Sequence, residues 1–487
     1  MKRVIATFFA MLALAPAHAA QFVLVNLDPP GSGLNDTTPV APLPDNPGTT
    51  IGEQRVNVYL FALDLWAQTV ESDVPIFVGA TFQPLNCGPT SGVLGAAGTT
   101  FIFRDFPGAE GKPNTWHHSA LADALAGFDL NPGTIDVISF FNSDIDDDPN
   151  CLTGSTWYYG LDGNNAPNEL DFLAVVTHEI NHGIGHANFA NEQTGALQSG
   201  LPDVYTDFSF DNTIGKTWSQ MDDAERQQSA INDLNLVWIG PAVTTQAPSI
   251  LGPRPSVWVQ GTNFEGGVQA QAASFGPSLL TRDTAYRLSV ANDGVDVTTD
   301  ACQPITDPTA RSLLLGKIAL VDRGGCSFVQ KVLNVQDAGA RGAIIVNNVP
   351  KGLPSMGGAS NDVAIRSIGV TRDAGDLLRA ELATGNRVWV ELFSDVFKLA
   401  GADEMNRVRL YAPDPVRLGS SVSHWDITAT PNLLMEPSIT DSLDAATTLD
   451  LSPALLQDIG WTLTNPLPTD GSKQGPDPHP DDSYGGE

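Results

Sequence analysis

The run His178-Glu179-Ile180-Asn181-His182 does most to limit what this 487-residue chain can become. Two histidines four apart reach one metal ion only when the backbone between them is helical, because positions i and i+4 then share a face. The preceding residues, NELDFLAVVT from Asn168, place Leu170, Leu173 and Val176 at helical spacing. A helix is therefore expected from Asn168 to Gly183, with Asn168 as its N-cap and Gly183 and Gly185 ending it. Zinc accepts neutral imidazole nitrogens, and Glu179 beside them is placed to act as general base on a water the metal activates. Chance produces such a motif roughly 0.01–0.02 times per chain of this composition, which favours chemistry over accident.

A hydrolytic zinc site needs a third protein ligand and one open position. His186 is eight residues past His178, about 12 Å along a continuous helix, too far to share the ion unless the glycines bend it back. Asn188 occupies the last position of an H-E-x-x-H-x-x-G-x-x-H pattern but is a poor zinc ligand. Glu192, the pair His117-His118 and His424 complete the candidates. His117 and His118 follow Trp116 in a polar stretch and are expected in a loop. Sequence distance alone does not select among these.

Lys+Arg number 25 against 56 Asp+Glu, a formal net charge of −31. That excludes non-specific nucleic-acid binding and argues against anionic membranes. Residues 1–19 read as a signal peptide: Lys2 and Arg3, an apolar run from Val4 to Leu14, then Ala17-His18-Ala19 as the cleavage pattern. The run is too short to span a bilayer. The mature chain is thus expected outside the cytoplasm, extracellular or periplasmic, with no membrane span. Residues 464–487, rich in Pro, Gly and Asp and including His479, read as a disordered acidic tail.

Helical spacing also appears from Glu53 to Thr69 and from Asp222 to Leu236. Strands are expected at Asp73–Phe82, Ile135–Phe141 and around Trp157–Tyr159. Pro241, Pro248, Pro253 and Pro255 mark a boundary. Beyond it, Lys317–Val321 and Ala343–Val346 read as strands flanking a helix at Phe328–Ala338, the signature of a small α/β domain. A short helix is expected at Ser452–Ile459.

HEINHGIG resembles the HExxHxxG of metzincin metalloproteases. The stretch SHWDITATPNLLMEP, Ser423 to Pro437, resembles the third-ligand and Met-turn region of leishmanolysin-like metzincins, in which a Met follows the distant third His by eleven residues, as Met435 follows His424. The resemblance implies His178, His182 and His424 as ligands of one catalytic zinc, Glu179 as base and Met435 as an apolar floor beneath the metal. Gly316 to Val349 (GKIALVDRGGCSFVQKVLNVQDAGARGAIIVNNV) and Ile365 to Leu378 resemble a protease-associated (PA) domain. An insertion would account for the 242 residues between His182 and His424. The implied fold is α+β: a metzincin-like zincin domain, a mixed sheet plus active-site helix, in residues 20–254 and 396–463, interrupted by an α/β PA-type domain at 255–395. The sequence departs from the pattern at His186, commonly apolar in relatives, and in having no evident Tyr just after Met435.

Four cysteines allow three pairings. Cys302 and Cys326 both fall in the PA-like segment and form the economical pair, leaving Cys87 with Cys151. The competing reading makes Cys87 a thiolate that blocks the metal. Asp144-Ile145-Asp146-Asp147-Asp148 offers hard oxygens for Ca2+ but lacks the full calcium-loop pattern, so a solvated acidic loop is expected. Asp322 and Arg323 are expected to be structural. The activity implied is that of a monomeric zinc endopeptidase acting on proteins or peptides. The alternative is an extracellular binding module with a closed, non-catalytic zinc site. An aminopeptidase would need a second metal with bridging carboxylates, for which no motif is present.

Overall fold

The computed structural model describes residues 19–439, 443 and 445–469. The expected signal segment before Ala19, and the tail from residue 470 onward with His479, lie outside the described residues. Thr464 and Leu467 are bonded to the body through Thr69 and Gln457, so the disorder expected from residue 464 does not hold for these two residues.

The N-terminal part is built on a four-stranded sheet. Strands β1 (Phe22–Asn26), β2 (Ile76–Gln83), β3 (Gly95–Thr99) and β4 (Val137–Asn142) lie in the order β1-β2-β4-β3. β1, β2 and β4 are parallel, and β3 runs antiparallel to β4 along the edge. Helix α1 (Ile51–Ala67) packs on this sheet through Val58, Tyr59, Ala62, Leu63 and Trp66. Thr50 caps it by accepting from Glu53 N, and Glu53 returns the bond to Thr49 N. Helix α2 (Phe172–Ile184) carries the HEINH motif and is buried along its whole length. Its first residue, Phe172, is ringed by Phe82, Phe141, Trp157 and Tyr159 at centroid distances of 5.1–5.5 Å.

α2 starts later than the spacing suggests. Glu169–Asp171 first pairs in parallel with Thr156–Tyr158, so Asp171, not Asn168, caps the helix by accepting from Leu173 N. The helix expected at Asp222–Leu236 covers only Asp223–Ser229. Asn232 there bonds Asp211 and Asn235 bonds Asp233 O, so side chains compete with the helical ladder, and Leu236–Trp238 becomes a strand beside Ser209–Asp211. The proline-marked boundary also differs: Pro241–Ile250 is helical, with Pro241 at its first position, where the missing N–H costs nothing.

A closed barrel follows. Its strands are β5 (Pro253–Gln260), β6 (Glu265–Ala272), β7 (Tyr286–Val290), β8 (Ile318–Asp322), β9 (Gly342–Val346), β10 (Arg366–Val370) and β11 (Trp389–Leu399). They close in the order β5-β6-β10-β9-β8-β7-β11, so the unit starts before residue 255 and ends beyond residue 395. In β8, Ile318 and Leu320 enter the barrel interior, while Ala319 and Val321 lie under the helix Phe328–Asp337. Covering both faces is what makes these strands continuously apolar. The chain leaves the first part at Gly252 and re-enters at Ala400, whose N–H donates to Gly252 O at 2.9 Å; Gly252 N donates to Thr430 O at 2.7 Å. After re-entry the chain rejoins the first part's core, Trp238 N donating to Val408 O, and ends with helix α3 (Ser452–Ile459). Disulfides join Cys87 to Cys151 and Cys302 to Cys326, and no described cysteine is free. Cys87 is therefore not a blocking thiolate.

Candidate metal centre

The helical spacing of α2 sets His178 and His182 one turn apart, and the re-entrant segment brings His424 against them. Their Nε2 atoms form a triangle with sides of 3.1, 3.2 and 3.2 Å. Each ring is fixed from behind by a backbone carbonyl on its Nδ1: Leu434 O at 2.7 Å for His178, His186 O at 2.7 Å for His182 and Ser420 O at 2.8 Å for His424. A carbonyl can only accept, so each Nδ1 carries the proton and each Nε2 presents a lone pair. Burial depresses all three groups, His178 to about 4, His182 to about 3 and His424 well below its usual range, so none is protonated near neutrality.

Three buried lone pairs aimed at one point repel one another unless a cation lies between them. Nitrogens bound at ~2.0–2.1 Å around a tetrahedral ion are about 3.3–3.4 Å apart, within a few tenths of an ångström of the observed triangle. The three histidines are the one such donor cluster among the described residues, and they fit zinc by donor type and spacing.

Glu179 is buried beside this cluster. Burial pushes its carboxyl up to about 8, with the Ala97 backbone acting in the opposite direction. Its side chain lies along β3: a Cβ added at Gly95 would sit 3.0 Å from Glu179 Cγ and Oε1. β3 is thus both the open edge of the sheet and the wall behind the carboxylate. The sequence reading missed it, because GAAGT has none of the bulky β-formers that announce a strand.

The other candidates take supporting places. His186 stays out of the cluster; its ring packs edge-on against Trp425 at 5.1 Å, while its carbonyl orients His182. Asn188 donates through N and Nδ2 to Ser423 Oγ, at 3.1 and 2.9 Å, next to His424. Glu192 accepts from Asn188 Nδ2 and reaches no histidine of the triad. His117 and His118 form a buried two-residue strand paired with Ile102–Phe103, not a loop. Met435 is fully buried, and its carbonyl accepts from Trp425 N at 2.8 Å, closing the turn that delivers Leu434 O to His178. The acidic run is not simply solvated. Asp144–Asp147 is a short helix, and Asp146 pairs with buried Arg55 at 3.0 Å and with Tyr159 Oη at 2.6 Å. Asp322 bonds Arg379, and Arg323 bonds Asn347 Oδ1.

These features define a mixed α+β body with a buried three-histidine centre and a barrel set into it. The PA domain family matches residues 287–378, all within the barrel. Receptor homology region, transmembrane domain- and RING domain-containing protein 1 of Oryza sativa subsp. japonica is 32% identical over 140 residues, 28% of this chain and 25% of that protein. Signal peptide peptidase-like 5 of the same plant is 33% identical over 144 residues, 28% of this chain and 24% of that one. Probable leucine aminopeptidase 2 of Arthroderma benhamiae is 40% identical over 70 residues, 14% of each chain. The chain thus spans only about a quarter of the length of the first of these relatives. Among solved structures, the aminopeptidase from Aneurinibacillus sp. strain AM-1 aligns over 32% of this chain and 37% of its own, at 22% identity and a TM-score of 0.21. BSAP, a zinc aminopeptidase from Bacillus subtilis, aligns over 31% and 35%, at 21% identity and a TM-score of 0.20. Scores this low define no common overall fold. The matches support a PA domain, residues 287–378, set within an α+β body.

Proposed function

We propose that this chain is an exported zinc endopeptidase of the leishmanolysin-like metzincin type, with His178, His182 and His424 as ligands and Glu179 as general base. The observation that carries the reading is the triangle of three carbonyl-pinned Nε2 atoms with a carboxylate one residue along the same helix. A zinc ion held there would polarise a peptide carbonyl and make water more acidic. The burial-raised carboxyl of Glu179 would be drawn back down to its ionised form by the same cation. Glu179 then accepts a proton from the attacking water as its oxygen bonds to the scissile carbonyl carbon. When the C–N bond breaks, Glu179 returns that proton to the departing amine nitrogen. The free edge of β3 can pair with an extended substrate backbone and hold it across Glu179, so the substrate is protein or peptide. Among the described residues no fourth histidine, cysteine or carboxylate joins the triad, which leaves room for water and favours catalysis over a closed structural site. Two disulfides suit an oxidising compartment, and no described helix is long and apolar enough to cross a membrane.

Casein hydrolysis by the mature chain and by its Glu179→Gln form, with zinc content measured in both, tests the proposal. Expected are activity lost on chelation in the wild type, and a loss of about 10²–10⁴-fold in the variant with zinc retained. Undiminished hydrolysis by Glu179→Gln would refute the mechanism.

A further inference from the structure

The outer wall of the barrel carries a groove of about 720 Å³ that shares no residue with the histidine centre. Strand alternation forms its floor. Val257 and Val259 of β5, with Val390 and Leu392 of β11, point into the barrel core. Ser256 and Trp258, with their cross-strand partners Phe393 and Glu391, therefore face outward. Trp258 stands opposite Gly267 of β6, where a Cβ would lie 3.8 Å from Trp258 Cε3, so the indole rests along bare backbone. It is 40% exposed, and Phe397 at the rim is 92% exposed.

The polar lining is unusual for an idle surface. Arg254, only 4% exposed, donates to Glu404 at 2.7 Å but leaves its Nε without a partner. Gln269 and Arg282 line the same groove, and their side chains make no hydrogen bond or ion pair among the described residues. Three cations, Arg254, Arg282 and Lys398, face three carboxylates, Glu391, Asp395 and Glu404. The groove is therefore neutral in a chain of net charge −31, which disfavours an anionic ligand. Its floor strands are paired on both sides in a closed barrel, so an extended peptide finds no free main-chain edge to bond. What remains is a stacking ring and planar hydrogen-bonding groups, in a volume typical of ligand sites.

We infer that this groove binds a neutral oligosaccharide, one pyranose ring lying on Trp258 and its hydroxyls bonding Gln269, Glu391 and Arg282. The apolar C–H face of a sugar suits the indole, and its hydroxyls suit amide, carboxylate and guanidinium together. The test is titration of the full chain with cellohexaose, maltohexaose, mannohexaose and N-acetylchitohexaose, followed by calorimetry and tryptophan emission. Saturable binding of at least one is expected, weakened at least about tenfold in Trp258→Ala and about threefold in Gln269→Ala, with unchanged far-UV circular dichroism, melting temperature and casein hydrolysis. Binding should persist in Glu179→Gln and after chelation, so it stands or falls separately from the peptidase reading. No saturable binding up to about 10 mM would overturn the inference. So would equal affinity in a folded Trp258→Ala protein, or occupation of the groove by peptides in place of sugars.

Discussion

Replacing Gly183 by Ala sets two effects against each other inside the motif helix. Helix propensity favours Ala over Gly by about 1 kcal/mol. Packing opposes it: an added Cβ would sit 2.2 Å from Val137 Cγ1, 2.8 Å from Cγ2 and 3.1 Å from Cβ. Val137 cannot yield, because it is fully buried, stiff about χ1 and clamped in β4 between Val78 and Thr99. Restoring ordinary contact would move α2 off the sheet by more than about 1 Å, an overpacking cost of roughly 1–3 kcal/mol. The net expectation is a loss of about 0–2 kcal/mol and weaker zinc retention, since His182 is the adjacent residue. Urea unfolding of the wild type, Gly183→Ala, Val137→Ala and the double variant measures it, with zinc content determined on each. The two changes should couple by at least about 1 kcal/mol, because trimming Val137 makes room for the new methyl. A Gly183→Ala protein stabilised by about 1 kcal/mol, with additive behaviour in the cycle, would refute the packing argument.

Three further outcomes are expected. His424→Ala should bind zinc far more weakly, so the stabilisation that zinc at a hundredfold excess over Kd gives the wild type, about 2.7 kcal/mol, disappears from its melting curve. Asp203, fully buried, has its carboxyl raised to about 6 by desolvation despite bonds from Phe189 N and Thr206 N. Because the folded value exceeds the unfolded one, its contribution to stability is present below about pH 4 and lost as pH rises through 6; carbon NMR of labelled aspartate should show that midpoint, and a value near 4 would contradict it. Replacing Cys302 and Cys326 together by Ala should destabilise the barrel by about 3.5 kcal/mol, the chain-entropy value for their 24-residue separation. Calorimetry reads the loss, and a change below about 1 kcal/mol would count against that account.

The motif helix was legible because its chemistry and its burial share one period: Leu173, Val176 and Ile180 bury the helix that turns His178 and His182 the same way. The barrel's core strands were legible because they are buried on both faces and so run apolar without interruption. β3 was not, since its role rests on having almost no side chain beside Glu179. Nor could the three carbonyls behind the imidazoles be read, because a backbone acceptor leaves no mark in residue type. The short helix at Asp223–Ser229 was overrun for a related reason: the periodicity continued past it, but Asn232 and Asn235 spent their amides on a turn.

The paired entry and exit of the barrel bear on the order of folding. His182 and His424 are 242 residues apart along the chain, yet most of that span starts and ends at the hydrogen-bonded pair Gly252 and Ala400. A barrel that forms first acts as a staple and removes its own length from the loop that must close to assemble the triad. Loop-closure entropy grows only with the logarithm of length, so the gain is just ~0.8 kcal/mol. The segment carrying His424 is delivered beside the motif helix by a unit with its own core and disulfide, so assembly of the triad should follow formation of the barrel.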